Sequence, residues 1–255
     1  MDEINTTPPA SEESSEMSFS DKLMNVFSAP GELFENVAKS EKQVSNWSVP
    51  LILTMIVSVI FVLVAFSQAP IQEQIRDQTE KSIQKRVTEG KMTQEQADVA
   101  LSKNPAQPGS PLFMIFGSLG AVVVTAMILF GFALAFWLVG KWVFKSTAVY
   151  GKVLEVVGLS MYISVLGSII TLLLVVAMGS LYATPSLALL VSQYDPTNTV
   201  HKLLSAISVF TFWYLIVISI GLGKIFSVST EKTLAAVGVL WVLFTAASVF
   251  ISFGT

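Results

Sequence analysis

Glu155 is the one carboxylate inside a long apolar run. It lies about one turn in, with Lys152 three positions before it and Ser160, Ser164 and Ser168 following at intervals of four. A carboxylate within a membrane-spanning helix can relay protons or cations, and it is by default a functional hypothesis. The plainer reading puts Glu155 at the headgroup boundary, neutralised by Lys152. Its shallow position and the lack of a second acid favour that reading. The serines, flanked by Gly167 and Thr171, could line a path for a polar solute. Small residues at this spacing more commonly let helix backbones approach closely, with hydroxyls bonding across the contact.

Little else in the chain could do chemistry. With no cysteine, disulfides, thiolate metal sites and cysteine nucleophiles are excluded. His201 is the single histidine, so no multi-histidine metal cluster can form. As a general base it would need a positioned nucleophile and an orienting acid, and Asp195 in a proline-bounded loop is the only acid nearby. An interfacial histidine is the simpler expectation. Gly117, Gly120, Gly221 and Gly223 lie within or at the end of apolar runs and lack the preceding strand of a phosphate loop. The net charge of −3 is small and scattered, which argues against a nucleic-acid partner. No catalytic residue, cofactor or metal is expected, and the chain reads as non-enzymatic.

The elements that must position these residues are unusually apolar. Of 255 residues 53% are hydrophobic and 13% charged, about half the charge of a soluble domain. Five runs at about 50–69, 112–139, 153–178, 203–223 and 234–253 are each long enough to cross a bilayer. The expected fold is therefore all-α, a polytopic membrane protein with five transmembrane helices. Residues 1–17 are acidic and rich in Ser, Thr and Pro, and are expected to be disordered. In 18–49, Phe19, Leu23, Val26 and Phe27 share one helical face, and Leu33, Phe34 and Val37 mark a second. These short amphipathic helices should lie at the cytoplasmic interface, on lipid or docked on the protein's own face. Pro50 is placed in the first turn of the first span, where its missing N–H costs nothing.

Residues 70–111 form the one large polar insert. Ile71, Ile75, Ile83 and Val87 make a narrow apolar stripe, Gly90 stops that helix, and Thr93 with Gln96 forms a capping box for a second. A helical hairpin standing off the bilayer is expected, with Asp77 and Lys81 as an i,i+4 pair. Leu187–Tyr194 is apolar but too short to cross, and should rest at the far interface. No basic cluster and apolar core of a cleavable signal appear in the first 49 residues, so the first span should serve as its own insertion signal. Among the short connectors, five Lys/Arg fall on the side of the N-terminus and one on the other. This bias puts the N-terminus in the cytoplasm, and the insert and C-terminus outside.

The segment VFSAPGELFENVAKSEKQVSNWSVPLIL resembles the approach to the first span in bacterial members of the Yip (Ypt-interacting) family. The residues that carry the likeness are Phe27, Pro30, Phe34, Trp47 and Pro50. Tyr150–Val157 is similar to the family's lead into its third span. The likeness covers about residues 20–252. It implies a five-helix membrane domain with a cytoplasmic N-terminus and, for the bacterial branch, residence in the inner membrane. Relatives often carry a proline within the third span, whereas this chain has Ser164 and no proline between Val153 and Met178. Eukaryotic relatives bind small prenylated GTPases and act in vesicle traffic, a partner that a bacterial cell lacks. The expected role is membrane organisation or partner binding, through the N-terminal helices or the insert. The alternative is a small transporter or permease component using Glu155 and the serine face. The sequence leaves the oligomeric state open.

Overall fold

The computed structural model describes residues 17–102 and 107–251, so the acidic tail expected to be disordered lies almost wholly outside the described residues. Among the described residues the fold is all-helical. In chain order the helices are α1 (Phe19–Ser28), α2 (Pro30–Lys39), α3 (Ser45–Ala65), α4 (Ala69–Thr88), α5 (Gln94–Ser102), α6 (Pro111–Trp142), α7 (Tyr150–Met178), α8 (Thr199–Ala206), α9 (Val209–Phe226) and α10 (Thr230–Ile251). A 3₁₀ turn at Leu187–Leu190 occupies the α7–α8 connection.

Five helices, α3, α6, α7, α9 and α10, are long and apolar enough to span a membrane. The chain is thus a multi-pass membrane protein. Helix α7 is the hub, packing on α3, α6 and α9, while α10 leans on α9 and α8. It runs unbroken for 29 residues and stops at Gly179, whose φ of 61° needs the left-handed region. At 32 residues α6 is about 48 Å long, well beyond a hydrocarbon core of about 30 Å.

Three local expectations are corrected. Pro50 lies inside α3 rather than in its first turn, because the helix begins at Ser45. Its ring removes the N–H that would bond the Asn46 carbonyl four residues earlier. The fourth span begins at Val209, not near Leu203: the chain breaks at Ile207–Ser208, where Leu187 N–H donates to the Ile207 carbonyl at 3.0 Å and Ser208 bridges Ser186. Ser208 then caps α9, accepting from Phe210 N–H while donating to the Pro185 carbonyl at 2.9 Å. Asp77 and Lys81 form no ion pair among the described residues; Lys85 and Glu89 do, at 3.9 Å.

Helices α1 and α2 dock on the protein itself. Ser18 caps α1 in a reciprocal box with Asp21, and Ala29 alone separates the two helices before Pro30 starts α2. Val26, Leu33, Phe34 and Val37 are fully buried against α7 and α9. The pair forms a V whose apolar side faces the bundle. Phe34 packs at Gly221, whereas Phe27 meets Trp213, eight residues and about 12 Å further toward the start of α9.

The insert is a helix pair, α4 and α5, with the Thr93–Gln96 capping box formed in both directions. The first half of α4 is held by the bundle, as far as Gln78, which donates to the Tyr182 hydroxyl. Ile71 is buried with Ala65 and Val175, and Gln74 brackets the end of α7, donating to the Gly179 carbonyl and accepting from Leu181 N–H.

Candidate functional site

The polar centre of the molecule forms where α1, the α2–α3 connection, the start of α3 and the start of α7 converge. Glu155, 1% exposed, has both oxygens engaged. Asn46 donates through Nδ2 to Oε2 at 2.8 Å, and Gln43 N–H donates to Oε1 at 3.3 Å. Lys152 Nζ lies 3.5 Å from Oε1, one helical turn away. All three ammonium protons of Lys152 have shorter partners, the carbonyls of Val37, Ser40 and Glu41 at 2.7, 2.8 and 3.1 Å. Lys152 therefore closes the C-terminus of α2, where orphan carbonyls and the helix dipole both attract a cation. Its attraction for Glu155 is an added Coulombic effect.

Asn46 is the relay of the network. Its amide hydrogens face Glu155, while its Oδ1 accepts from Lys22 Nζ at 3.0 Å, and Lys22 also donates to Gln43 Oε1. Lys22 and Asn46 are themselves buried. Two cations, one anion and two carboxamides thus tie four segments together, with the fixed partners that buried charges require. Glu155 is enclosed by protein side chains and backbone. Its pairing with Lys152 is real, but Asn46 and Gln43 were missed: they sit 109 and 112 positions away, and no short-range pattern points to them.

The resemblance motif lies around the same centre. Trp47 runs so close to Gly158 that a Cβ there would strike its backbone, and its ring meets Phe130 edge-on at 5.7 Å. Phe34 lies over Gly221, where a Cβ would collide with Phe34 and Val156. Phe27 meets Trp213, Pro30 starts α2, and Pro50 is buried within α3. On the rim, Glu35 bridges Lys39 and Lys224, each at 2.8 Å. The two lysines, Lys224 above all, hold its pKa at about 2.

The Yip1 domain model matches residues 24–251, which takes in Gln43, Asn46, Lys152 and Glu155 of this centre, though not Lys22, and all five apolar helices. The chain belongs to the Yip1 domain family. No curated protein and no solved structure matches it.

The serine face of the Yip1 domain does not form one surface with Glu155. Ser160 is buried and donates to the Val156 carbonyl of its own helix at 2.8 Å. Ser164 and Ser168 open instead onto a cavity of about 270 Å³ with Thr171, Thr184 and Ser208. His201 sits at the far end, where Nδ1 accepts from Asp195 N–H at 2.9 Å, the Ser205 hydroxyl donates to its backbone carbonyl and the Tyr194 ring packs on its imidazole. No cluster of histidine or acidic residues able to hold a metal forms among the described residues.

Proposed function

We propose that this Yip1 protein is a non-enzymatic organiser of the inner membrane that binds a protein partner through its α4–α5 insert, with the N-terminus cytoplasmic and the insert outside. One observation carries the reading. Beyond Ile71 the 20-residue α4 buries no other residue, and the turns after Gln78 present mostly exposed charged side chains. Side chains of this kind, held on a rigid base, suit recognition of another chain. The N-terminal helices are poorer candidates, since their apolar faces already lie against α7 and α9.

The transporter reading draws support from the small polar cavity at Ser164 and Ser168. Against it stands the separation of that cavity from Glu155, nine residues and about 13 Å back along α7. Reconstituted vesicles decide between the two. The protein should pass no protons or small solutes beyond empty vesicles, and a photocrosslinker placed at Ser82 or Arg86 in cells should give one discrete adduct. A flux abolished by Glu155→Gln, without any adduct, would establish the transporter instead.

A further inference from the structure

A serine or threonine hydroxyl inside an apolar helix can bond the carbonyl one turn back in its own helix. Thr125, Ser160 and Thr171 all do so here, each at 2.8 Å. Ser164 and Ser168 of α7 do not. Among the described residues neither they nor Thr211 and Tyr214 of α9 have a hydrogen-bond partner for the side-chain hydroxyl. All four line the cavity of about 270 Å³ between the two helices. Ser164 and Ser168 are four apart on α7, and Thr211 and Tyr214 three apart on α9, so each pair shares one helix face. We propose that this cavity is a binding site for one small uncharged polyol.

The chemistry of the walls selects that guest. A hydroxyl both donates and accepts, so four of them on two facing helices suit a molecule that does the same along its length. Among the described residues no charged side chain lines the cavity, and an ion there would leave its desolvation cost uncompensated. Amines, carboxylates and phosphate esters are thereby disfavoured. Pro185 and Phe210 add apolar surface for the carbon chain that carries the guest's hydroxyls. The space is many times the roughly 10–15 Å³ that one water needs, and a polyol that replaces several held waters releases the entropy each of them costs. The walls are also fixed before any guest arrives. Phe210 abuts Gly167 so closely that a Cβ there would lie 3.0 Å from its ring. Ser208 donates to the Pro185 carbonyl at 2.9 Å, and Thr184 and Ser186 share a hydrogen bond at 2.8 Å, which ties the 184–186 segment to the start of α9. The four free hydroxyls give up no internal bond when they engage a ligand, so binding carries little reorganisation cost. The inference is independent of partner binding by the insert, and it requires no flux.

Saturation-transfer NMR on the full chain in phosphatidylcholine nanodiscs, with empty discs as the blank, tests the site. Erythritol should bind saturably in the millimolar range, and glycerol 3-phosphate should not bind. Ser164→Ala with Ser168→Ala should weaken erythritol about tenfold, and Thr211→Val on the facing wall should weaken it several-fold. These substitutions break no side-chain hydrogen bond inside the protein, so unaltered thermal midpoints verify the fold. Ser160→Ala, which removes a hydroxyl bonded within its own helix, should leave binding unchanged. No saturable erythritol signal would mean a cavity that holds water only and overturns the proposal. So does a Ser164/Ser168 double variant that binds as tightly as the parent, or equal binding of glycerol 3-phosphate. Competition from phosphatidylglycerol, whose headgroup ends in a diol, would mark a lipid as the source of the same group; its absence marks a free solute.

Discussion

Asn46 and Glu155 meet at 2.8 Å across the start of α3 and the start of α7, and through Asn46 Oδ1 the contact continues to Lys22. A carboxamide can donate to an anion and accept from a cation at the same time. One side chain thereby ties the N-terminal V to two apolar helices.

Removing the carboxylate separates its roles. Glu155→Ala leaves Asn46 Nδ2 and Gln43 N–H without acceptors in a buried site and should cost about 3 kcal/mol. Glu155→Gln keeps an acceptor for Asn46, and Lys152 keeps its three carbonyls, so the loss should be about 1 kcal/mol. Thermal unfolding in detergent ranks the two. Equal midpoints for both variants and the parent would mean that the network contributes nothing.

Gly158 faces the backbone of Trp47, which cannot move without shifting α3. Gly158→Ala should destabilise by about 2 kcal/mol through overpacking. At Gly120 and Gly238 an added methyl group would meet nothing within 4 Å. Alanine at either should be neutral or stabilising by up to about 1 kcal/mol, from helix propensity alone. The same unfolding measurement reads all three, and a tolerant Gly158 would contradict the close approach.

Glu35 supplies a pH signature. Its pKa of about 2, depressed from an ordinary 4.5, means its bonds to Lys224 and Lys39 add stability above pH 4.5. That stability fades as the pH falls through about 2. Lys224→Gln removes the larger influence and should raise the pKa toward 4.5. Carboxyl NMR titration of the pair of proteins measures the shift, and an unmoved titration curve would deny the contact.

The proposed orientation is open to a labelling test. Single cysteines at Ser82 and Ser252 should react with an impermeant maleimide from outside the cell, while one at Ser14 should be protected. The reverse pattern would place the insert on the cytoplasmic side.

Much of the architecture was legible because it depends on short-range information. Five uninterrupted apolar runs announce five spanning helices, and Thr93 with Gln96 announces a cap that forms as expected. The order of Phe27, Pro30, Phe34, Trp47 and Pro50 announced the family. Long-range geometry was not legible. The partners of Glu155 are over a hundred positions distant, and the break at Ile207–Ser208 depends on a backbone contact with Leu187. The α1–α2 pattern showed which faces were apolar without showing what would cover them. The partners turned out to be Trp213 for Phe27 and Gly221 for Phe34, far along the chain.

The V of α1 and α2 also sets an order of events during synthesis. Its apolar side rests on α7 and α9, and α9 ends at Phe226, so the seat of α1 and α2 is complete only once α9 has been made. Two helices near the start of the chain therefore finish packing late. Until then the apolar faces of both helices must be shielded by chaperones or by the lipid surface itself.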